Sequence, residues 1–110
     1  MSSVNDRGQA LGVYEDGAGI LHGYLLWNGT FTTIDAPGAG SETVPLGINN
    51  RGDTVGGYAD AARTIHGFLL RNGTFTTIDA PGAPSGTVAT DINDRGDILV
   101  PAPGAVQLNV

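Results

Sequence analysis

The chain has 110 residues, of which 40% are hydrophobic, and 11 acidic side chains against 5 basic ones give it a net charge of −6. This acidic balance repels phosphate backbones and anionic lipid surfaces, so we expect neither a nucleic acid nor a membrane as a partner. The absence of cysteine excludes disulfide bonds and thiolate metal sites.

From its first residues the chain repeats itself with a period of 44 residues. Residues 4–8 recur with small changes as residues 48–52 and 92–96, and residues 28–39 recur unchanged as residues 72–83. The 18 glycines and the many β-branched residues favour short strands and tight turns over helices. A fixed period of this length indicates a tandem array of one supersecondary unit.

In chain order, the period predicts three segments. Residues 1–42 form a first blade whose strand A is largely missing, residues 43–86 form a second, complete blade, and residues 87–110 start a third repeat with a closing strand and a divergent tail. Because the repeat begins in mid-motif, we expect the chain to be cut from a longer array, either as a natural fragment or by design. The first residues have neither a basic n-region nor an apolar h-region, so we expect no signal peptide in this chain.

Turn signals divide the complete repeat into four strands, A to D, predicted at residues 43–49, 54–58, 66–71 and 74–79. Asn72 and Gly73 join strands C and D, and this pair readily adopts the positive φ angles of a type I′ hairpin turn. Four short antiparallel strands in every 40 to 50 residues are typical of a β-propeller blade. The predicted fold class is therefore all-β, with propeller blades that are covered on both faces.

Two blades cannot close a ring, so we expect the ring to be completed by oligomerisation. The surplus strand A at the C-terminus would complete the first blade of the next copy in a head-to-tail ring. Residues 98–100 would then compete with residues 9–13 of the next copy for the strand B position, so one of the two segments would be displaced or residues 98–100 would pack elsewhere. A trimer with six blades is the favoured assembly, and a dimer or a tetramer is the alternative.

The longest shared motif begins with His22-Gly23-Tyr24 and His66-Gly67-Phe68, and continues in each copy with Asn-Gly-Thr-Phe-Thr-Thr-Ile-Asp-Ala-Pro-Gly. This pattern resembles the HAF repeats, which are named for a His-Ala-Phe motif and occur in tandem in predicted extracellular bacterial proteins. The middle Ala is Gly in both copies. The resemblance spans residues 4 to about 100 and implies an exported, propeller-like array, but it carries over no catalytic residue and no ligand.

Several short motifs are interpreted as turns. The Arg-Gly-Asp triplets at Arg51 and Arg95 would mark integrin adhesion, and the Asn-Gly-Thr triplets would mark glycosylation, but hairpins select the same residues. An oxygen-rich segment at residues 91–97 has the spacing of a calcium loop, but Arg95 occupies a ligand position and would repel the ion.

His22, His66 and Trp27 are the candidate ligand-binding residues. The two histidines are equivalent and would lie on one circle of a closed ring, but we favour a structural role because no acidic partner lies nearby in the sequence. Trp27 is a natural stacking residue for a sugar, although its counterpart in the second repeat is Arg71.

The favoured function is a non-catalytic β-propeller module, structural or binding, with an unknown ligand. The alternative is a lectin-like module that binds glycans, and a third interpretation is an enzyme that acts at the central channel. The sequence has no nucleophile–base pair, phosphate loop or paired carboxylates, so we expect no enzyme activity, no catalytic residue, no metal and no cofactor.

Overall fold

The computed structural model describes residues 4–79, 86–102 and 106–109, and within them the chain is all-β. None of these residues forms a helix long and apolar enough to cross a membrane. The strands are β1 (Ala10–Glu15), β2 (Leu21–Trp27), β3 (Thr30–Ile34), β4 (Ala39–Ile48), β5 (Thr54–Asp60), β6 (Ile65–Arg71), β7 (Thr74–Ile78), β8 (Asp91–Ile92), β9 (Ile98–Ala102) and β10 (Val106–Asn109).

The strands fall into three units that follow the sequence repeat. The first unit contains β1–β3, the second contains β4–β7 and the third contains β8–β10. Within each unit, every pair of neighbouring strands is antiparallel. One parallel bridge, from Leu21 to Glu42, joins the first two units into a mixed sheet of seven strands, and the third unit is a separate sheet.

The predicted strands of the second unit are confirmed as β4–β7, with ends that differ by a few residues. The predicted C–D hairpin is also confirmed, because Asn72 and Gly73 have φ angles of 52° and 80°, as the type I′ turn requires. Asn28 and Gly29 form the same turn in the first unit, with φ angles of 52° and 78°. Residues 79–82 are predicted to form the exit from the second strand D, and of these, residues 80–82 lie outside the described residues.

Glycine in strand β5 permits a close approach between neighbouring strands. A Cβ atom on Gly56 would collide with the carbonyl oxygen of Val44 and would come within 3.0 Å of the Phe68 ring. The register of β4 against β5 shifts between Pro45 and Gly47, at the same place. The sequence requires glycine here because the strands and the aromatic ring leave no room for a side chain.

Because side chains alternate along a strand, each unit has two faces, which we call the front face and the back face. The front face of the second unit carries Tyr58 and Phe68, and its back face carries Val55 and Leu69. The front face packs on the back face of the first unit in a cluster that includes Ile34 and Ala36 of that unit. The back face packs on the third unit in a cluster of Val55, Leu69, Ile78, Ala89, Ile92, Ile98 and Val100.

Both faces of the second unit are covered, as predicted for a blade, whereas the front face of the first unit is open, as expected where two blades do not close a ring. Phe31 on the front face of the first unit is 66% exposed, because no other unit of the described chain covers that face. The exchange scheme lets residues 98–100 either compete for the strand B position of the next copy or pack elsewhere. In this chain β9 pairs with both β8 and β10, so residues 98–100 pack inside their own unit.

Candidate functional site

Each of the first two units holds its histidine between two aspartates. In the first unit, His22 contacts Asp16 through Nε2 and Asp35 through Nδ1, and both distances are 2.7 Å. The aspartates come from the β1–β2 loop and from the end of β3. The two bonds therefore tie together three parts of the chain that are separate in sequence.

The second unit repeats this arrangement. His66 contacts Asp60 through Nε2 and Asp79 through Nδ1, both at 2.9 Å. A tyrosine ring lies beside each imidazole, with centroids 5.1 Å apart for Tyr14 and His22 and 5.2 Å apart for the equivalent pair in the second unit. Both nitrogens of each ring have a partner, so neither imidazole presents a lone pair to a ligand.

The loop aspartate of each cluster is itself held by the backbone. Oδ1 of Asp16 accepts hydrogen bonds from the amides of Ala18 and Ile20, while its Oδ2 faces the histidine. Asp60 accepts equivalent bonds from the amides of Ala62 and Thr64. The carboxylate therefore fixes the β-turn and the imidazole at once.

In each cluster the aspartates favour the charged form of the histidine, and the histidine favours the charged form of the loop aspartate. The hydrogen bond to Asp16, followed by the bond to Asp35, raises the pKa of His22, and Asp60 followed by Asp79 raises the pKa of His66. The hydrogen bond from His22 holds the pKa of Asp16 below its usual range, with help from the two loop amides. Each cluster thus favours the charged imidazolium over the neutral ring.

The expectation that the histidines have no acidic partner nearby is wrong. Asp16 lies six residues before His22 and Asp35 lies thirteen after it, and the same spacings recur around His66. The partners meet only because the β2–β3 and β6–β7 hairpins place the end of the second strand beside the start of the first, where the histidine lies. The signal available in the sequence was that all three residues recur in both copies.

A second polar arrangement occupies the turns that begin at Asn5, Asn49 and Asn93. In the middle turn, Oδ1 of Asn49 accepts hydrogen bonds from the amides of Arg51 and Asp53, at 3.0 and 2.9 Å. The amides two and four residues after Asn5 and Asn93 make the same bonds. The asparagine therefore closes each turn, as predicted for the Arg-Gly-Asp triplets of the last two repeats.

The asparagines also connect one turn to the next, in a series that we call the turn ladder. Nδ2 of Asn5 donates to the carbonyl oxygen of Asn49 at 2.8 Å, and Nδ2 of Asn49 donates to that of Asn93 at 2.9 Å. Asn49 is only 3% exposed, because it has a neighbour on both sides.

The residue after each of these asparagines adds a second series of hydrogen bonds to the turn ladder. The amide of Asp6 donates to Oδ1 of Asn50, and the amide of Asn50 donates to Oδ1 of Asp94. In return, Nδ2 of Asn50 donates to the carboxylates of both aspartates, at 3.1 and 2.9 Å. A neutral amide thus separates two carboxylates.

Trp27 does not share a site with the histidines. It ends the strand in which His22 is the second residue, so the two lie toward opposite ends of β2. The Trp27 ring is 38% exposed, its Nε1 donates to the carbonyl oxygen of Arg7, and the Arg7 guanidinium lies 5.2 Å from the ring centroid. Its counterpart Arg71 forms an ion pair with the buried carboxylate of Asp53 at 3.2 Å.

The polar side chains of the clusters and turns are bonded to other groups of the protein, which leaves few of them to act on a ligand. Burial raises the pKa of Asp53, but hydrogen bonds from Asn49 and Arg71 outweigh it and hold the pKa below the usual range. Within the described ranges, no three acidic or histidine side chains are grouped so as to hold a metal ion.

No family model, curated protein or solved structure matches the chain.

Proposed function

We propose that the chain is a non-catalytic repeat scaffold, whose units are propeller blades and whose recurring polar residues hold the units together. The observation that carries this proposal is the turn ladder, which links three successive turns through the same atoms at a spacing of 44 residues. A binding or catalytic site would leave polar atoms free for a ligand. Here the recurring side chains are engaged with the protein itself.

The apolar packing supports the same proposal. Successive units stack front face to back face through two separate clusters, one on each side of the second unit. In a propeller, four-stranded sheets are arranged as blades around a central channel. The ring of several copies, and the export implied by the HAF resemblance, belong to this proposal as well.

Replacing Asn49 with Ala tests the structural role of the turn ladder. The change removes four hydrogen bonds of a buried side chain and leaves the carbonyl oxygen of Asn93 with the Gly96 amide as its remaining donor. We expect the free energy of unfolding to fall by roughly 2–4 kcal/mol, at a typical net value near 1 kcal/mol for each bond. Urea denaturation followed by circular dichroism measures this loss.

Asn93→Ala is the matched control, because it opens an equivalent turn. Asn93 is exposed and donates to no further unit within the described part of the chain. Its loss should therefore cost clearly less than the loss of Asn49. Equal costs, or an Asn49 variant as stable as the parent, would reject the scaffold role of the ladder.

Glycan binding at Trp27 is the second candidate function, and the exposed part of the indole ring is the observation that favours it. Arg7 lies beside the ring, so a sugar would stack on the side that Arg7 leaves open. A glycan array comparing the parent with Trp27→Ala decides the matter. Silence of the parent across the array rejects this function.

A further inference from the structure

The turn ladder is open at both ends, and the two ends are complementary. Two donors of the third turn have no acceptor in the described chain: the second hydrogen of Nδ2 of Asn93 and the amide hydrogen of Asp94. The equivalent atoms of the first two turns donate to the next turn. The carbonyl oxygen of Asn5 receives only the amide of Gly8, whereas the equivalent oxygens also receive an asparagine side chain. Donors thus end the ladder on the third unit and acceptors end it on the first.

The front face of the first unit is exposed at the same end of the stack as the acceptors of the turn ladder. Tyr14 and Phe31 are 43% and 66% exposed there, while Tyr58, the counterpart of Tyr14, is 8% exposed beneath the first unit. In the second unit this face is covered by the back face of the preceding unit. The occupant that fits the exposed face is therefore a back face of the same repeat.

We propose that this occupant is the third unit of a second copy of the chain. Nδ2 of Asn93 in one copy donates to the carbonyl oxygen of Asn5 in the next, the Asp94 amide donates to the Asp6 carboxylate, and the two sheets stack as they do inside the chain. This interface deepens the proposed scaffold function and rests on it. It is head-to-tail, so it closes into a ring when the rotation per unit allows.

The junction differs from the internal contacts in its charge. Inside the chain, Asn50 stands between Asp6 and Asp94 and donates to both. At the junction, Asp94 of one copy would lie directly against Asp6 of the next, so two carboxylates meet where the internal contacts pair a carboxylate with an amide. Like charges in contact weaken an interface, and the copies each carry a net charge of −6.

The decisive variant is Asp6→Asn, which would convert the junction into the same carboxylate–amide pair that joins Asp6 to Asn50. We expect this variant to associate at a concentration about tenfold lower than the parent, measured by sedimentation velocity from 1 to about 300 micromolar; tenfold corresponds to about 1.4 kcal/mol. Glu15→Gln is the charge-matched control, because it removes one exposed negative charge away from the ladder and should leave association nearly unchanged.

A second pair of variants tests the apolar part of the interface. Phe31→Asp places a charge on the exposed front face and should abolish association, whereas Thr30→Asp places it on the opposite face of the same strand and should not. A parent and an Asp6→Asn variant that both remain monomeric, or an Asp6→Asn variant that associates no better than Glu15→Gln, would overturn the interface. Neither result touches the Asn49 measurement, so the scaffold role can survive the loss of this interface.

Discussion

Strands β3 and β7 have the same sequence, Thr-Phe-Thr-Thr-Ile, but different surroundings. Phe31 in β3 is 66% exposed, whereas Phe75 in β7 is half-buried and packs with the cluster between the first two units. The tyrosines of β1 and β5 differ in the same way, at 43% exposure for Tyr14 and 8% for Tyr58. Identical side chains are thus buried or exposed according to whether a unit lies in front of them.

This comparison separates two kinds of stabilisation in a repeat. The packing of the faces depends on the neighbouring unit, so its contribution changes along the array. The hairpin turns at residues 28–29 and 72–73 and the histidine clusters are built from residues of one unit, so their contributions should be the same in each copy. The predictions below test this division, beginning with the packing.

The largest difference is expected between Phe68→Ala and Tyr24→Ala, which truncate equivalent positions. Phe68 is 1% exposed, so its loss should cost about 3–5 kcal/mol in the free energy of unfolding. Tyr24 is half-buried on the open face, and its loss should cost less than half as much. Urea denaturation of both variants measures the gap, and equal costs would contradict the dependence on a neighbour.

Replacing Gly73 or Gly29 with Val should give two nearly equal losses. Both glycines have positive φ angles, 80° and 78°, and both have open space where a Cβ would lie, so the strain comes from the backbone alone. Each variant should lose on the order of 1 kcal/mol or more. An unchanged melting temperature in either variant would count against the turn assignment, and unequal losses would show that the turns also depend on the neighbouring unit.

The histidine clusters should give the smallest effect, seen as a dependence of stability on pH. Because the folded protein raises the histidine pKa above its ordinary 6.5, the stabilisation is complete below about pH 6.5 and is lost as the pH rises through the raised pKa. Because the pKa values of Asp16 and Asp60 are lowered from 3.8, their stabilisation is present above pH 3.8 and is lost as the pH falls through the lowered values. Melting temperatures should therefore be highest between about pH 4 and 6.5.

Variants of the histidines connect this pH dependence to the clusters. His22→Gln and His66→Gln should each flatten the loss of stability above pH 6.5, by similar amounts, because each cluster lies within one unit. The double variant should lose most of the alkaline slope. If the double variant keeps the slope of the parent, the clusters are not its cause.

Local features were accessible from the sequence because short-range chemistry determines them. The hairpin at Asn72 and Gly73 was predicted from the φ angles that those residues tolerate, and the strands followed from the spacing of the turns. The front-to-back stacking agrees with the apolar residues on both faces of the strands. These inferences needed only neighbouring residues and the period of the repeat.

The polar contacts between distant residues were not accessible in the same way. Asp16 and Asp35 reach His22 only after the hairpin has formed, and Asn5 reaches Asn49 only after two units have packed. The recurrence of these residues in each copy marked them as important but did not reveal which contacts they make.

The spacing of the turn ladder has a consequence for how such a chain can change its length. Each bond between successive turns joins residues one full period apart, from Asn5 to Asn49 and from Asn49 to Asn93. An in-frame duplication of one 44-residue segment therefore copies the donor and the acceptor of every rung together. Whole units can therefore be added or lost while these asparagine bonds remain the same, but loss of the middle unit would place Asp6 against Asp94 without Asn50 between them.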